Sequence, residues 1–576
     1  MDIVERDFHP ATRDALIDSG IHPVLARVYA ARGIESAAAL EYRLARLTPP
    51  AALAGLDAAA EIVATAITAG DLIAVVGDFD ADGATATAIL HEAIIAFGGP
   101  PPFVLIPSRF TQGYGLSPAL VDAARDSGAR VIVTVDNGIT AFEAIGHARK
   151  IGLPVVVTDH HCPAIRADGT AHLPEAAAIV DPNVPGCAFP WKSTCGAGIA
   201  FYLAAAVRAK LRDRGHSGGQ VALDGLLDLV ALGTVADVVP LERNNRILVA
   251  QGLARIRAGV RPGIAALFRV AGRDVATATT EDLGFIAGPR LNSAGRLASM
   301  DLGIQLLIER DPGRADEMAR ELDGLNRERR TIEAATVDDA LNGLSDGFDM
   351  KARALVFFGE TWHEGIVGLV ASRLKERFHR PVVALCRAQD GTIKGSGRSI
   401  PGLHMRDALA AVDAACPGLI LRFGGHTMAA GLSLDDAQVD RFRAVFQRIV
   451  GRMVPDDALR QVVWSDGELA GVDLDLELAR TLRDGGPWGN GFPEPLFHGT
   501  FRVRDCRILK DAHRALTIEK DGRVFRAIQF GNAERPPEEV LLAYRPQVNV
   551  WNGKEELQLV VGTALPAVLR HEVEHV

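Results

Sequence analysis

The stretch DLIAVVGDFDADGATATA, residues 71–88, contains an apolar run, a short acidic loop and the beginning of a helix. Leu72 to Val76 is rich in β-branched residues and predicts a buried strand. Asp78, Asp80 and Asp82 follow at alternate positions, and alternate residues of an extended segment share one side. Three carboxylates on one side repel one another unless a cation lies among them, so the loop predicts a site for a hard divalent cation.

Three interpretations of this acidic loop compete on local grounds. Its pattern resembles the first half of an EF-hand calcium loop, but the twelfth position, which requires Glu, is Ile89, and this excludes the EF-hand. A solvated acidic turn is the simplest alternative. The third interpretation is a catalytic metal cluster, which requires further ligands from elsewhere in the chain.

The whole chain has the composition of a folded protein with several domains. Its 576 residues, 48% of them hydrophobic, exceed the roughly 250–300 residues at which single cores stop growing. A net charge of −10 argues against a protein that binds nucleic acid over its whole surface, although it leaves room for a local basic channel. The first residues do not predict a signal peptide, and no uncharged apolar run reaches membrane-spanning length. We therefore expect a cytoplasmic protein with no membrane partner.

Four further apolar runs alternate with helical segments after the first strand. These runs are residues 103–106, 130–135, 154–157 and 178–180. This alternation predicts a parallel, right-handed α/β sheet, in which ligands bind beyond the carboxyl ends of the strands. Asp136 follows the third strand of this sheet, and His160 and His161 follow the fourth. Metal-capable side chains at three strand ends favour the metal cluster over a solvated turn.

A further acid, Asp237, lies late in an apolar helical stretch that spans residues 223–239. A carboxylate among apolar neighbours must be paired or bound to a metal. A helix-end residue that faces water is the alternative on local grounds. Asp237 is therefore a candidate ligand from a different part of the chain.

Four motifs, taken in order, resemble those of the DHH phosphoesterase superfamily. They are GDFDADGAT at 77–85, VDNG at 135–138, TDHH at 158–161 and ALGTVADVV at 231–239. Within the superfamily, the chain is similar over about residues 50–450 to a bacterial branch of single-strand-specific 5′→3′ DNA exonucleases. The resemblance implies that the chain hydrolyses single-stranded DNA in repair and recombination.

The resemblance also implies two Mn²⁺ or Mg²⁺ ions in the active site. In this assignment Asp80 and Asp136 hold the first ion, and Asp136 bridges to the second. The implied ligands of the second ion are Asp82, Asp136, His160 and Asp237.

Asp78 and His161 lie beside these ligands, and His161 belongs to the implied catalytic set. Related pyrophosphatases carry a His four residues before the first ligand, where this chain has Val76. Either Asp78 or water would then complete the shell of the first ion.

A second α/β unit is predicted between about residues 350 and 452, with glycine-rich loops at 395–399 and 422–431. Glycine lets backbone N–H groups approach an anion, and Arg and His supply charge-assisted donors. The sequence GGHTMAAG at 424–431 resembles the substrate-binding DHHA1 domain that accompanies DHH domains. The residues assigned to substrate are Arg109, Ser372, Arg373, Arg398, Gly424, Gly425 and His426. Among these, we expect Arg109, Ser372, Arg373 and His426 to hold a 5′-terminal phosphate.

Two other regions complete the prediction. A charged helical connector is expected to line part of a groove with Arg290 and Asn292. Five short strands after about residue 456, with an Asn-Gly turn at 552–553, suggest a small β-barrel of the OB type. Phe525, Phe530 and Trp551 are candidate stacking platforms for single strands, and the alternative is that they are core residues. The sequence HEVEH at 571–575 matches a zinc-protease pattern. That pattern works on a helix buried in a site with a third ligand, whereas here it forms the last few residues, so we do not expect a protease.

The expected architecture is therefore a multidomain α/β protein. Its predicted segments are a helical cap at 1–48, a DHH catalytic domain at 49–242, a helical connector at 243–345, a DHHA1 domain at 346–455 and an OB-like domain at 456–576. The expected partners are single-stranded DNA, a helicase and a single-strand-binding protein. Two alternatives remain: a DHH phosphodiesterase for short oligonucleotides or cyclic dinucleotides, and a DNA-binding scaffold without activity.

Overall fold

The computed structural model describes most of the 576 residues. The residues that it leaves out of description are 108–114, 167, 344–351, 389–390, 552 and 568–576. The chain forms two compact units. The larger unit comprises Glu5–Leu325 and Ser465–Val576, and the smaller unit comprises Met1–Val4 and Asn326–Trp464.

The N-terminal segment begins with a strand, β1 (Asp2–Glu5), before helices α1 (Pro10–Asp18) and α2 (Pro23–Ala30). The prediction of helices alone is wrong here, because β1 pairs with Val462–Ser465. A four-residue strand whose partner lies near the other end of the chain leaves no local signal. Among the described residues no single helix could cross a membrane, and one pair passes that test only as two pieces bent at 93°, Leu44–Ala52 and Leu56–Ala69.

A five-stranded sheet follows in the larger unit. Its elements in chain order are α3 (Leu56–Ala69), β2 (Ile73–Val76), α4 (Ala81–Ala96), β3 (Phe103–Leu105), α5 (Pro118–Asp126), β4 (Val131–Val135), α6 (Phe142–Lys150), β5 (Val155–Thr158), the short strands β6 (Ala164–Ile165) and β7 (Ala171–His172), β8 (Ala178–Val180), α7 (Gly196–Asp213) and α8 (Leu227–Ala236). The strand order is β3-β2-β4-β5-β8, and every neighbouring pair is parallel. The predicted parallel α/β sheet is confirmed.

Helices cover both faces of this sheet, which explains its continuous apolar strands. Ile73 and Val75 of β2 pack with residues of α3, α4 and α7 in one core. Ala74 and Val76 face the other way and pack with residues of α5 and α6. Because side chains alternate along a strand, both faces of β2 must be apolar, and only the residues after its carboxyl end are free to be polar.

Helices continue from the sheet through the connector, as the sequence predicted. They are α9 (Arg243–Arg257), α10 (Pro262–Val270), the single turn α11 (Thr280–Asp282), a π-helical turn (Leu283–Ala287), α12 (Gly288–Leu297), α13 (Asp301–Ile308) and α14 (Pro312–Asn342). The helices α9, α10, α12 and α13 contribute residues to the core that covers β2.

The smaller unit has its own sheet and its own apolar core. Its elements are β9 (Leu355–Gly359), α15 (Val367–Phe378), β10 (Val382–Arg387), β11 (Ile393–Arg398), α16 (Met405–Ala415), β12 (Arg422–Gly425), β13 (Ala429–Leu434), α17 (Val439–Met453) and β14 (Val462–Ser465). The sheet order is β12-β13-β11-β10-β9, with only β9 and β10 parallel. The prediction of glycine-rich loops is wrong for most of these residues, because 395–398 lie in β11, and 422–425 and 429–431 lie in β12 and β13. Only residues 426–428, between β12 and β13, and residue 399 lie outside the strands. A Cβ atom on Gly395 would lie 2.4 Å from Leu385, so glycine here permits close packing inside a sheet.

The C-terminal segment forms the predicted closed barrel of five strands. After α18 (Leu476–Asp484), the strands are β15 (Phe497–Leu509), β16 (His513–Lys520), β17 (Arg523–Gln529), β18 (Glu539–Trp551) and β19 (Lys554–Pro566), in the order β15-β16-β17-β19-β18. Phe525 is buried in the barrel, whereas Phe530 is 59% exposed. Inner residues such as Phe501 and Tyr544 belong to the same apolar core as the parallel sheet.

Candidate metal centre

The acidic loop after β2 is fixed by hydrogen bonds to its own backbone. Asp80 caps α4, and its Oδ1 accepts from the backbone N–H groups of Asp82 and Gly83 at 3.1 and 3.0 Å. A Cβ atom on Gly83 would lie 2.6 Å from the backbone N of Asp78, which explains why glycine follows the last aspartate of the acidic loop. Asn292 of α12 accepts a further loop N–H at 2.8 Å. The loop conformation therefore depends on its own sequence and on the connector.

The carboxylate of Asp82 lies at the N-terminus of α7. Its Oδ2 and Oδ1 accept hydrogen bonds from the N–H groups of Gly196 and Ala197 at 2.6 and 2.9 Å. The N-terminus of a helix carries partial positive charge, so it favours an anion at this place. A Cβ atom on Gly196 would lie 2.5 Å from the Cβ of Asp136. Glycine at the start of α7 thus allows one helix end to approach two carboxylates.

Asp136 follows β4 in a left-handed backbone conformation, with φ of 61°. The next residue, Asn137, is buried, and its amide donates to the carbonyl oxygens of Val76, Gly77 and Val135 at 3.1, 3.0 and 2.9 Å. These bonds tie the end of β4 to the end of β2. Asn137 therefore sets the separation between Asp136 and the acidic loop.

Asp159 organises the two histidines that follow β5. Its Oδ1 bonds Nδ1 of His161 at 2.7 Å and accepts the backbone N–H of His160 at 2.7 Å. Burial alone would raise the pKa of Asp159, but the bond and the charge of His161 lower it. Burial alone would lower the pKa of His161, but the same bond and the charge of Asp159 raise it to about 9. The bond to Asp159 therefore favours the protonated form of His161 in the metal-free protein.

Asp237 is the C-cap residue that directly follows α8, so this metal-site side chain comes from a helix end and not from a strand end. Its side chain is mostly buried, at 25% exposure, which disfavours the alternative of a residue that faces water. The next residue, Val238, has φ of 60° and is 63% exposed. Such a conformation is rare for a β-branched residue and costs about 1–3 kcal/mol.

These side chains converge on His160. Its Nε2 lies 3.0 Å from Oδ1 of Asp136, 3.6 Å from Oδ2 of Asp237 and 3.9 Å from Oδ2 of Asp82. Potential ligand atoms lie within 4.8 Å of one another in three groups: Asp78, Asp80 and Asp136; Asp82, His160 and Asp237; Asp136, His160 and His161. All six predicted catalytic residues, together with Asp78, therefore belong to one cluster at the carboxyl edge of the sheet.

The carboxylates of this cluster raise one another's pKa values. Burial and the charge of Asp80 raise the pKa of Asp82 to about 6. Burial and the charge of Asp82 hold the pKa values of Asp136 and Asp237 well above their ordinary range. A divalent cation would offset this repulsion, and a set of carboxylates with one imidazole fits Mn²⁺ or Mg²⁺. The residues present thus fit the predicted metals.

The predicted substrate residues of the smaller unit fall into two kinds of environment. Arg373 is 61% exposed and forms an ion pair with Glu333 at 2.8 Å. Arg398 is more enclosed, and its Nε donates to the hydroxyl of Ser372 at 3.2 Å. Burial lowers the pKa of Arg398, and within the described residues no carboxylate lies within ion-pair distance of it. The fold brings Ser372 and Arg398 together but directs Arg373 to an acidic neighbour.

Other predicted substrate residues lie on an exposed edge or have structural partners. Gly424 and Gly425 lie in β12, one of the two edge strands of the sheet in the smaller unit, and His426 follows it. The guanidinium of Arg290 is buried and pairs with Asp323 at 2.8 Å. Arg109 lies outside the described residues. The side chain of Trp551 and the terminal residues 571–575 also lie outside them.

Sequence reasoning missed three residues that hold this centre, Asn137, Asp159 and Gly196, and it missed the buried acid Asp181, which interacts with Asp159. Asn137 and Asp159 stand beside predicted ligands within the quoted motifs, so a polar residue that shares a motif with a ligand was an available signal. Asp181 follows β8, and burial with the charge of Asp159 raises its pKa to about 8. Gly196 gives no local signal, because its role depends on the approach of a distant helix.

Comparison with known proteins agrees with this architecture. The model of the DHH family N-terminal domain matches residues 72–234, and the DHHA1 domain model matches residues 351–452. The fold and the acidic cluster thus define a DHH-family protein with its accompanying DHHA1 domain. The model of the RecJ OB domain matches residues 465–562, which contain the barrel.

Whole-chain relatives identify the family within this class. The single-stranded-DNA-specific exonuclease RecJ of Salmonella typhimurium is 45% identical over 571 residues, covering 96% of this chain and 98% of the relative. The crystal structure of Thermus thermophilus RecJ with Mn²⁺ has a TM-score of 0.83 at 30% identity, covering 98% of this chain and 79% of that one. The same protein with Mg²⁺ gives a TM-score of 0.77 at 29% identity, covering 98% and 78%. The chain belongs to the RecJ family.

Proposed function

We propose that this chain is a metal-dependent exonuclease that hydrolyses single-stranded DNA in the 5′→3′ direction, in repair and recombination. The observation that carries the proposal is the cluster of five aspartates and two histidines, all buried or partly buried, in a RecJ-family fold. Two cations held close together can stabilise both the attacking and the leaving oxygen of a phosphodiester, and this cluster offers ligand atoms for them.

We further propose two cations in each site, which share Asp136. The group of Asp78, Asp80 and Asp136 and the group of Asp82, His160 and Asp237 support two adjacent positions. Asp78 belongs to the first group, which supports it as the ligand that replaces the histidine absent at Val76. When bound, two divalent cations would supply Lewis acidity for the attack of water on a phosphodiester.

The protein's own residues hold charge and protons around the reacting phosphate. Asp159 fixes the ring of His161 through Nδ1. We propose that His161 acts through Nε2 as a donor to a phosphate oxygen or to the leaving oxygen. The backbone N–H groups of Gly196 and Ala197 neutralise part of the charge on Asp82. Because Asp82 already accepts both bonds, its oxygens are pre-oriented before any cation binds.

Recognition of the 5′ end belongs to the same proposal. We assign the terminal phosphate to Arg109, Ser372, Arg373 and His426, with Gly424 and Gly425 close to the DNA backbone. The bond between Ser372 and Arg398 supports Arg398 as a further donor, because Arg398 has no acidic partner among the described residues. An arginine paired only with neutral groups keeps its charge available for a phosphate.

The proposal is tested with end-labelled single- and double-stranded DNA, incubated with Mn²⁺ and followed by product sizing. We expect single strands to be degraded from the 5′ end and duplexes to be resistant, with faster initial rates on 5′-phosphate than on 5′-hydroxyl ends. Cleavage restricted to dinucleotides would favour the small-substrate phosphodiesterase, and binding without cleavage would favour the scaffold. The closed barrel speaks against the first alternative, because a dinucleotide is too short to need a second binding domain.

The cellular compartment and the protein partners are also proposals. We propose that the protein acts in the cytoplasm, that a helicase supplies the single strand and that a single-strand-binding protein coats it. These partners rest on the resemblance to the family. Adding each purified partner to the exonuclease assay on a long substrate measures whether it changes the initial rate.

A further inference from the structure

A loop of the C-terminal segment lies directly on the residues that follow Asp237. This loop, residues 485–493, connects α18 to the barrel and has the sequence GGPWGNGFP. The amide Nδ2 of Asn490 donates to the carbonyl oxygen of Val238 at 2.7 Å. The backbone carbonyl of Asn490 accepts from the N–H of Leu241, also at 2.7 Å. One residue of the loop thus bonds both ends of the segment 238–241.

Glycines bring the loop close enough to make these bonds. A Cβ atom on Gly489 would lie 2.7 Å from Cδ1 of Leu241. Gly491 has φ of 71°, and a Cβ atom on it would lie 3.3 Å from Cβ of Pro240. Asn490 is therefore presented between two glycines that each pack against the segment after Asp237.

The far side of the loop is anchored in the larger unit. Trp488 donates its indole N–H to the carbonyl of Leu482 at 2.8 Å, and its own carbonyl accepts from the hydroxyl of Thr280 at 2.6 Å. The guanidinium of Arg246 lies 4.4 Å from the ring centroid of Phe492 and donates to the carbonyl of Leu241 at 2.7 Å. With these anchors, the loop can hold Asn490 against Val238.

Val238 is the residue of this segment that needs holding. It occupies the position after the helix end, where glycine is the usual residue because φ is positive. A β-branched residue persists there only when its surroundings over-determine the conformation. Because Val238 directly follows Asp237, relaxation of its φ toward negative values would rotate the end of α8 and move the Asp237 carboxylate.

We propose that Asn490 is a positioning residue for the metal centre, which keeps Val238 in its left-handed conformation and thereby holds Asp237 beside Asp82 and His160. The inference rests on the proposed metal function of Asp237. It gives the C-terminal segment a role in cation binding that is separate from any contact of the barrel with DNA.

The test is Mn²⁺ titration of the metal-free, full-length protein by calorimetry, combined with its melting temperature. We expect Asn490→Ala and Asn490→Asp to weaken Mn²⁺ binding about threefold to tenfold, the range that one neutral hydrogen bond supports. Val238→Gly removes the strain, so Asn490→Ala should cost less than about twofold when made in the Val238→Gly background. Asn532→Ala, which removes an asparagine from a turn of the barrel, is the matched control and should leave the affinity unchanged.

The outcomes separate the inference from the proposed function. Equal losses of affinity in the wild-type and Val238→Gly backgrounds, or no loss in either, would overturn the inference. A lower melting temperature with unchanged Mn²⁺ affinity would also overturn it, because Asn490 would then serve only the packing of the loop. Asp136→Asn is measured in parallel, and wild-type Mn²⁺ binding by that variant would instead contradict the metal centre itself.

Discussion

Glycine serves opposite purposes in the metal centre and in the edge strand of the smaller unit. Around the metal centre, Cβ atoms on Gly83, Gly196 and Gly233 would each lie within 2.7 Å of another atom of the cluster or its supports. At the edge strand β12, a Cβ atom on Gly424 would have no neighbour within 4 Å, and the residue is exposed. The first set of glycines is required by the fold. Gly424 leaves space at the surface that a ligand from outside the chain can use.

The same contrast holds for charge. In the metal centre, carboxylates are buried next to one another and backbone N–H groups hold them in place. In the smaller unit, Arg373 is exposed and paired with Glu333. Buried charges that repel one another are costly in the absence of a cation, whereas exposed ion pairs contribute little. Changes at the metal centre should therefore have much larger effects than changes in the smaller unit.

The largest effect is expected for Asp136→Asn. Asp136 is shared by two of the three ligand groups, so its loss should lower the rate of cleavage by about a thousandfold or more. The metal-free variant should nevertheless melt at or above the wild-type temperature, because one of the repelling carboxylates is gone. Single-turnover cleavage of a 5′-labelled oligonucleotide and a thermal melt measure the two quantities. A cleavage rate of the variant within tenfold of the wild-type rate would show that Asp136 does not bridge the two cations.

Gly196→Ala should weaken the same centre without removing a ligand. The new methyl group would meet the Cβ of Asp136 at 2.5 Å, so either α7 or Asp136 must move. Changes in residues that orient metal ligands typically cost ten- to a hundredfold in affinity, and we expect roughly that loss for Mn²⁺. Gly146→Ala is the matched control, because a Cβ atom there has no neighbour within 4 Å and alanine favours the helix. Similar Mn²⁺ affinities for the two variants would show that the approach of α7 is not needed.

The stability of the metal-free protein should depend on pH because the cluster resists ionisation. The folded-state pKa of Asp82 is about 6, above its ordinary value of 3.8, so protons stabilise the folded state. The contribution of Asp82 to stability is then greatest below about pH 4 and is lost as pH rises from about 4 through 6. Between pH 5 and 7, Asp82 alone should lower the free energy of unfolding by about 1 kcal/mol, and Asp136 and Asp237 should add to this.

Urea unfolding at several pH values, with and without Mn²⁺, measures this dependence. Bound cations favour the ionised carboxylates, so the loss between pH 5 and 7 should disappear or reverse when Mn²⁺ is present. The same pH profile with and without Mn²⁺ would mean that these carboxylates do not bind the cation.

The parallel sheet could be predicted from sequence because each of its strands is a short apolar run. In β2, both faces are covered by helices, so the polar residues begin only at Asp78, after the strand has ended. The position of this boundary along the chain is enough to place the ligands at one edge of the sheet. The closed barrel was predictable for a related reason, since turn residues such as Gly522 and Gly553 separate its strands.

The remaining features depend on contacts between distant segments. The strands β11 and β12 have the composition of loops, and pairing with other strands makes them strands: β11 pairs with β10 and β13, and β12 pairs with β13. Asn137 and Gly196 act through contacts with residues that are distant in sequence, and the residues next to them in sequence do not indicate those contacts. Val238 and Asn490 are 252 positions apart, so their hydrogen bond could not be inferred from either local sequence.

The smallest effect is expected for Gly424→Ala, which tests whether the substrate uses the empty space beside Gly424. Gly424 pairs with Gly431 in the sheet, and a methyl group on it meets no atom of the chain, so the melting temperature should not change. If DNA backbone approaches β12 closely, the methyl group should raise the KM for single strands by roughly twofold to fivefold without lowering kcat, because it acts on binding and not on the metal centre.

Gly425→Ala is the contrasting control: Gly425 has φ of 143°, and its Cβ atom would lie 2.4 Å from the carbonyl oxygen of Ala429, so that variant should lose stability. An unchanged KM for Gly424→Ala, together with a destabilised Gly425→Ala, would mean that the space beside Gly424 is not used by the substrate. A raised KM with an unchanged melting temperature would instead make β12 a substrate contact, because no interaction within the protein is altered.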